Sequence, residues 1–481
     1  MKGTHFAALA LLLLGAGCAG LPPKQAPVQL TREAPLEGLE AAGGGEWPAQ
    51  EWWKRYQDPT LDQLIELGLA SSPTLATAHA RYDSARQSVR IAGAASGARV
   101  DANADIERQR LSDNGLISPQ LIGLAWYDQA DLGLQASYTF DWWGKQRDTV
   151  ESAVDEAHAA QADRSAAALM LASSIADTYF GWQADQSRIA LARERESIVE
   201  HDAAIAAARV KADLDAAENL DRSALDLAAA REQTAALEGS AKLRVVALAA
   251  LVGRSMAQLP PLAPKPLPAL SGNLPDDVKI DLISRRADIT ASRWRVEAAE
   301  RNLASARAEF FPDLTINVLA GLSSIEVSKL VEYGSRVPQA SAAIHLPIFD
   351  SGRLKARYGA SQAAIDSAVA SYQETLVGAA RDVAAQASTR AQIEAQRAQR
   401  LIEVDAAHRL QSSAAARVAQ GITDLRTELT AQQSWIDQRD ALLQLDSAAL
   451  SADIALQRAL GGGYESPQRL ANSHSATATN P

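Results

Sequence analysis

Cysteine is almost missing from this sequence: Cys18 is the only one in 481 residues, so no disulfide can form within the chain. Aromatic residues are scarce at 5% while hydrophobic residues make up 47%, so Ala, Leu and Val carry the apolar content rather than the bulky side chains of a large globular core. The seven histidines are dispersed, with no H-E-x-x-H and no Cys/His cluster, and there is neither a G-x-x-x-x-G-K-[ST] loop nor a G-x-G-x-x-G after a strand. The chain therefore reads as a non-enzyme, with no metal and no cofactor. His201 and His408 fall on polar helix faces and read as solvated. A net charge of −11 disfavours nucleic acid as a partner.

What the sequence does contain is organised around one junction used twice. Phe140-Asp141-Trp142-Trp143-Gly144-Lys145 is echoed by Phe349-Asp350-Ser351-Gly352-Arg353, one residue shorter. Strict apolar/polar alternation precedes each copy, and a long Ala-rich run with few breakers follows. Asp141 with Gly144, and Asp350 with Gly352, thus mark points where a strand hands over to a helix. Gly144 and Gly352 lie 208 residues apart, and the same offset carries Ala208-Arg209-Val210 onto Ala416-Arg417-Val418 and Gly253 onto Gly461. Upstream of the junctions the repeat continues less clearly at an offset of 214. The chain is two copies of one unit: helix, strand, loop, strand, helix, turn, helix.

At the N-terminus, Lys2 precedes an apolar run from Phe6 to Leu14 and the small residues Gly15-Ala16-Gly17 before Cys18. This run is too short to span a membrane and reads as a secretory signal over residues 1–17. The pattern resembles a bacterial lipoprotein signal in which Cys18 becomes the lipidated N-terminus, although Leu14 stands one place further from the Cys than such signals prefer. An ordinary signal with an incidental Cys is the alternative. Ala19 rather than Asp after the Cys implies, for such lipoproteins, the outer membrane. Residues 18–57 read as a Pro/Gly-rich tether ending in a docking segment, Trp47 to Tyr56.

The first repeat is expected over 58–253, opened by a helix with Asp58 as cap and running to about Ala94 despite Pro73. Strands follow at about 98–110 and 130–140, then a helix from Lys145 to about Ala212, a turn, and a return to Gly253. A Pro-rich connector covers 254–274. The second repeat, 275–461, carries strands at about 312–322 and 338–348 and a second helical hairpin turning at Gly421-Ile422-Thr423-Asp424, and 462–481 form a tail. Leu169, Ala172, Ala176 and Tyr179 sit at the spacing of a coiled-coil seam. The strands have the length of tilted membrane-spanning strands, with Val100, Ala102, Ile106, Leu132, Leu134, Leu314, Ile316 and Ile344 on the apolar face and Asp101, Asn103, Asp105, Gln135 and Asn317 on the polar one. Two surface hairpins of a soluble domain would share that alternation. Four strands cannot close a barrel, and open edges are not tolerated in lipid, so the membrane reading requires several chains.

Four such strands, two long hairpins, an internal duplication and a lipoprotein-like signal resemble the TolC/OprM family of outer-membrane efflux ducts. Tyr138 to Lys145 and Leu346 to Arg353 resemble that family's strand-to-helix motifs, and Ser284-Arg285-Arg286-Ala287-Asp288-Ile289 resembles its Arg-Arg-Pro-Asp-Ile, with Ala287 in place of Pro. The resemblance implies a mostly helical fold with membrane β-structure. In it, a homotrimer shares a twelve-stranded barrel embedded in outer-membrane lipid, and a helical barrel extends through the periplasm. It further implies a periplasmic adaptor and an inner-membrane pump, of the resistance-nodulation-division type, as partners in passive export of drugs or other small molecules. A periplasmic adaptor lipoprotein, or a structural coiled-coil lipoprotein without a channel, is the competing reading.

In that family the inner ends of the hairpins converge to close the tunnel. The corresponding turns here carry Asp213, Asp215, Glu218 and Asp221, and Asp424, Arg426 and Glu428. The family's constricting aspartates fall near Thr427 and Thr430, so the expectation is a redistributed acidic ring built on Asp424 and Glu428, with Arg426 making ionic links to neighbouring carboxylates. Solvated turn residues, with Asp424 capping the return helix, are the alternative.

Overall fold

The structure, a computed structural model, describes residues 45–115, 118–270 and 278–465, together with 23, 26 and 28–31. The signal segment, Cys18 and the tail from 466 lie outside the described residues.

Asp58 opens the first helix as expected: its side chain accepts from the Thr60 amide and Pro59 occupies the first turn. The helix does not continue through Pro73. It divides into α1 (Pro59–Ser71) and α2 (Pro73–Ala95), with Ser72 extended at ψ 128. The proline ring excludes the helical conformation from the residue before it, so Ser72 turns out of the helix.

Two antiparallel strands follow, β1 (Arg99–Arg110) and β2 (Trp126–Phe140), then α3 (Lys145–Lys211) and α4 (Glu218–Val252). The second half begins with α5 (Val278–Arg285) and α6 (Ala287–Ala308), passes through β3 (Asp313–Ser324) and β4 (Arg336–His345), and ends with α7 (Arg353–Ala419) and α8 (Leu425–Ala459). Helices α3 and α7 are each 67 residues long and α4 and α8 each 35, so the duplication is preserved to the residue. Strand β2 starts four residues before the expected 130, because the register continues past the alternating stretch to pair Trp126 with Arg110. Strand β4 ends at His345 rather than 348; Pro347 has no amide to donate to a ladder.

The chain divides into two units. The first contains Asp83–Ala159 and Arg293–Ser371 with the described residues up to Leu30. Its centre is a single sheet in the order β1-β2-β3-β4, all neighbours antiparallel. Within it the N-terminal segment is tied down, since the Val28 amide donates to Glu300 at 2.7 Å and the Tyr358 hydroxyl to the Pro23 carbonyl at 3.1 Å.

The second unit holds Thr31–Tyr82, Ala160–Ser292 and the chain from Tyr372. Its core takes Ala172, Ala176 and Tyr179 of the expected α3 seam, with Leu169 only partly buried beside them and Ile175 added, and packs them against Leu61, Leu64 and Ile65 of α1, Leu248 and Val252 of α4 and Leu450 and Ile454 of α8. Trp52, Trp53 and Tyr56 complete it, so the aromatic segment docks as expected. A buried polar network pins the connector: Asp58 accepts from Tyr179 Oη and Lys265 Nζ, both at 2.7 Å, and the Lys265 amide donates to Gln183. Burial pushes the Asp58 carboxyl up, but the hydrogen bonds from Lys265 and Tyr179 prevail and hold it below its ordinary value.

The two halves also close their hairpins alike. After α4 and α8 come Gly253 at φ +71 and Gly461 at φ +94, each in the left-handed region. A Cβ on Gly253 would collide with the Ser71 carbonyl and Pro73, and one on Gly461 with the carbonyl of Arg285. Ser71 and Arg285 are themselves 214 residues apart, the offset seen upstream in the sequence. Only glycine fits at either place, for both steric and backbone reasons.

Candidate channel wall and gate

The sheet sorts its side chains cleanly. The register pairs Val100 with Ala136, Ala102 with Leu134 and Ala104 with Leu132, and continues through Tyr138–Ile316 and Leu314–Ile344. All eight residues expected on the apolar face therefore share one face. Asp101, Asn103, Asp105, Gln135 and Asn317 share the other, where Thr139 and Thr315 also hydrogen-bond at 2.9 Å. Leu319 and Val337 are apolar residues on the polar face; Leu319 covers Gly133, whose place leaves room for it, and Val337 stands opposite Gly321. Among the described residues nothing covers the apolar face: Val100, Ile106, Leu132, Leu134, Val318 and Ile344 are 44–75% exposed. A contiguous apolar surface of that kind needs a non-aqueous partner. The outer edges of β1 and β4 are also unpaired among the described residues. Because the strands alternate in direction, β4 of one copy would meet β1 of the next antiparallel, and repetition can close the sheet on itself.

Both junctions bend as the sequence indicates. Gly144 at φ +80 and Gly352 at φ +88 make the turn into α3 and α7. Asp141 accepts from the Arg147 amide at 2.8 Å, and Asp350 from the amides of Gly352 at 3.1 Å and Leu354 at 2.8 Å. Each aspartate thus satisfies amides that a helix start leaves without partners. Trp143 stacks on Phe311 with ring centroids 4.5 Å apart and donates to the Pro312 carbonyl at 2.8 Å.

At the far ends of the hairpins, both turns use one geometry. In the first, Asp213 sits at φ +56, its amide donates to Val210 and that of Leu214 to Arg209; in the second, Gly421 sits at φ +69 with the same bonds to Val418 and Arg417. Asp424 caps α8, accepting from the Thr427 amide at 3.0 Å and its hydroxyl at 2.6 Å, and these bonds hold its carboxyl below the usual carboxylate range. The capping role named as the alternative is therefore real.

Arg426 does find carboxylates. It forks onto Asp202 of α3 at 2.8 and 3.2 Å and reaches Asp215 at 3.9 Å, and the Asp202 hydrogen bonds raise its pKa. Asp215 also receives Arg209 and Asn219. Glu428 accepts from Gln432 at 3.2 Å, while Glu218 and Asp221 lie in the first turn of α4. Arg426, Asp215 and Asp202 are thus brought together, and Asp213, Glu218 and Glu428 are not drawn into that cluster. Asp202 was not singled out in the sequence: it lies 224 residues from Arg426, and only folding joins them. The link is the last rung of a ladder between α3 and α8 that includes Arg188–Asp440, Glu194–Arg439 and Arg195–Asp437. His408 is exposed, as expected, and its ring also lies beside Trp435 with centroids 4.9 Å apart.

Comparison with known proteins places this architecture. The family described as outer membrane efflux protein matches residues 64–254 and 281–462. The multidrug resistance outer membrane protein MdtP of Escherichia coli K12 is 30% identical over 93% of this chain and 94% of its own length. Among solved structures, the outer membrane protein VceC of Vibrio cholerae superposes with a TM-score of 0.78 at 31% identity, covering 87% of this chain and all of that one. The CmeC outer membrane channel of Campylobacter jejuni, at 20% identity, matches in fold with a TM-score of 0.84 over 96% of this chain and 98% of its own.

Proposed function

We propose, since the chain belongs to the outer membrane efflux protein family, that it is the exit duct of a tripartite efflux system, passing drugs or other small molecules outward. The chain is an outer-membrane channel protein. One observation carries the finer reading: a four-stranded sheet with an uncovered apolar face and two open edges feeds directly into two 67-residue helices. In lipid such edges must be paired. Three copies give twelve strands, and the polar face then lines water. The duct is passive, and energy comes from an inner-membrane pump of the resistance-nodulation-division type, joined to it through a periplasmic adaptor.

Anchoring is twofold. The barrel holds the protein, and lipidated Cys18 adds a second attachment. Support for the latter is the position of Cys18 directly after the signal, five residues before Pro23, whose carbonyl is bonded to Tyr358 near the start of α7.

The hairpin turns form the gate. Asp424 and Glu428, repeated three times about an axis with Asp213, Asp215 and Glu218, give a neck rich in carboxylates that favours cations. The Arg426–Asp202 fork ties the second hairpin to the first at that end, and the adaptor opens the neck by splaying the hairpins and breaking this rung.

Extraction in detergent followed by planar-bilayer recording tests the reading. A heat-resistant trimer that conducts ions is expected. A monomer that does not conduct would point instead to an adaptor or a structural lipoprotein.

A further inference from the structure

The strands sort their charges as strictly as their apolar residues. Of the four arginines in the sheet, Arg108, Arg110 and Arg336 lie on the apolar face and only Arg99 on the polar one. Of the six acids, Asp101, Asp105, Glu107, Asp131 and Asp313 lie on the polar face and only Asp128 on the apolar one. Arginines that served to neutralise those acids would share their face. The three on the apolar face also stand at one end of it, where β1 stops and β4 starts, beside the hairpin loops. The opposite end, next to the junctions with α3 and α7, carries Val100, Phe140, Leu314 and Ile344 and no charge.

Arg336 is exposed and has no carboxylate partner among the described residues. Its contact is the Tyr333 ring, whose centroid lies 4.3 Å from the guanidinium carbon, and its N–H donors stay unoccupied. Arg108 lies 3.7 Å from Asp128 and Arg110 lies 3.2 Å from Asp113, with all four side chains more than half exposed. Ion pairs that exposed hold weakly. Further along the same face, Ala102, Ala320 and Pro338 lie among Leu134 and Leu322 to form a shallow open groove of about 530 Å³, which Arg336 also lines. A single stretch of surface thus offers free guanidinium donors beside an apolar trough.

We propose that this stretch binds a phosphate-bearing acylated lipid of the outer leaflet. The Arg336 guanidinium forks onto the headgroup phosphate, a geometry its planar donors match. An acyl chain lies in the groove, and Trp126 and Tyr333 sit at the level of the headgroups. Closure of the barrel sets β1 of the next copy alongside β4, so Arg108 and Arg110 of that copy face the same leaflet and add to the positive field. The inference rests on the duct reading, which sends the helices into the periplasm, turns the hairpin loops outward and puts the apolar face in lipid.

Native mass spectrometry of the detergent-purified trimer tests this with diphosphoryl lipid A, its monophosphoryl form and inorganic phosphate. Saturable binding of one diphosphoryl lipid per chain is expected. Removing a phosphate from the probe, or Arg336→Gln in the protein, should each weaken it about tenfold or more, the worth of a charged hydrogen bond. Arg336→Lys should recover part of the loss, Arg108→Gln should weaken binding less, and Arg99→Gln on the polar face should change nothing. Binding that ignores both the phosphate and Arg336→Gln, or that inorganic phosphate at equal concentration displaces, would overturn the lipid site. The same spectra report assembly: absence of a wild-type trimer would overturn the duct reading, whereas an intact trimer without phosphate-dependent binding would overturn the lipid site alone.

Discussion

Replacing Val318 by Arg should cripple assembly, whereas the same change at the adjacent Asn317 should be tolerated. Val318 is the sixth of twelve residues in β3, flanked in register by Ala136 and Ala340 on the apolar face. Twelve residues tilted at 35–45° climb about 30 Å, so Val318 lies close to the bilayer midplane. An Arg there costs about 2–4 kcal/mol per chain, and about three times that in a trimer if the copies act independently. Asn317 pairs with Ser137 and Ser341 on the polar face, where an added charge meets water and should change stability by no more than about 0.5 kcal/mol. Ile316→Arg, one step along the lipid face, should behave like Val318→Arg with a smaller penalty. The assay is the yield of heat-resistant trimer in outer-membrane fractions. Normal yield for Val318→Arg together with loss for Asn317→Arg would show that the faces are assigned the wrong way round.

Three further outcomes are expected. Asp424→Ala removes the cap of α8 and should cost about 0.5–2 kcal/mol in thermal or denaturant unfolding; because the carboxyl's pKa is lowered in the fold, this contribution is present at neutral pH and disappears as pH falls below the ordinary carboxylate value, so wild type and variant should converge in acid. Asp155 on α3 is pushed up to about 6 by burial and by Glu297 of α6. The fold therefore loses stability as pH rises through about 6, and Asp155→Asn should gain about 1–3 kcal/mol over wild type at pH 7 but little at pH 4; an equal gain at both would refute the assignment. Cys18→Ser should abolish labelling by a fatty-acid probe while leaving trimers in the membrane, and continued labelling would exclude lipidation at this residue.

The parts of this molecule that the sequence announces are those whose chemistry is local. Asp141 and Gly144, and their counterparts Asp350 and Gly352, bend the backbone by turn preferences that any neighbour would leave intact, and the turns at Asp213 and Gly421 close through bonds within six residues. The two faces of the sheet are legible because alternation has only two phases, and all eight residues placed on the apolar face from alternation share it. What escaped was set by partners or by a neighbour's ring. Trp126 to Gln129 do not alternate, yet they join β2 because β1 runs on opposite them. Ser72 leaves the helix because Pro73 follows it. Asp202 and Trp435 acquire their roles only when distant helices meet Arg426 and His408. Among the carboxylates at the hairpin turns, local turn chemistry does not choose between Asp213, Asp215 and Glu218; folding gives Asp215 to Arg209 and Arg426.

Paired single-channel recordings of wild type and the triple variant Asp424→Asn, Arg426→Gln, Glu428→Gln test most directly the proposed duct closed at rest by its hairpin turns. Wild-type trimers should conduct weakly and prefer cations. The variant, lacking both the acidic neck and the Arg426–Asp202 rung, should show raised resting conductance and a reduced cation preference. Recordings in which the two proteins match in conductance and selectivity would contradict the account.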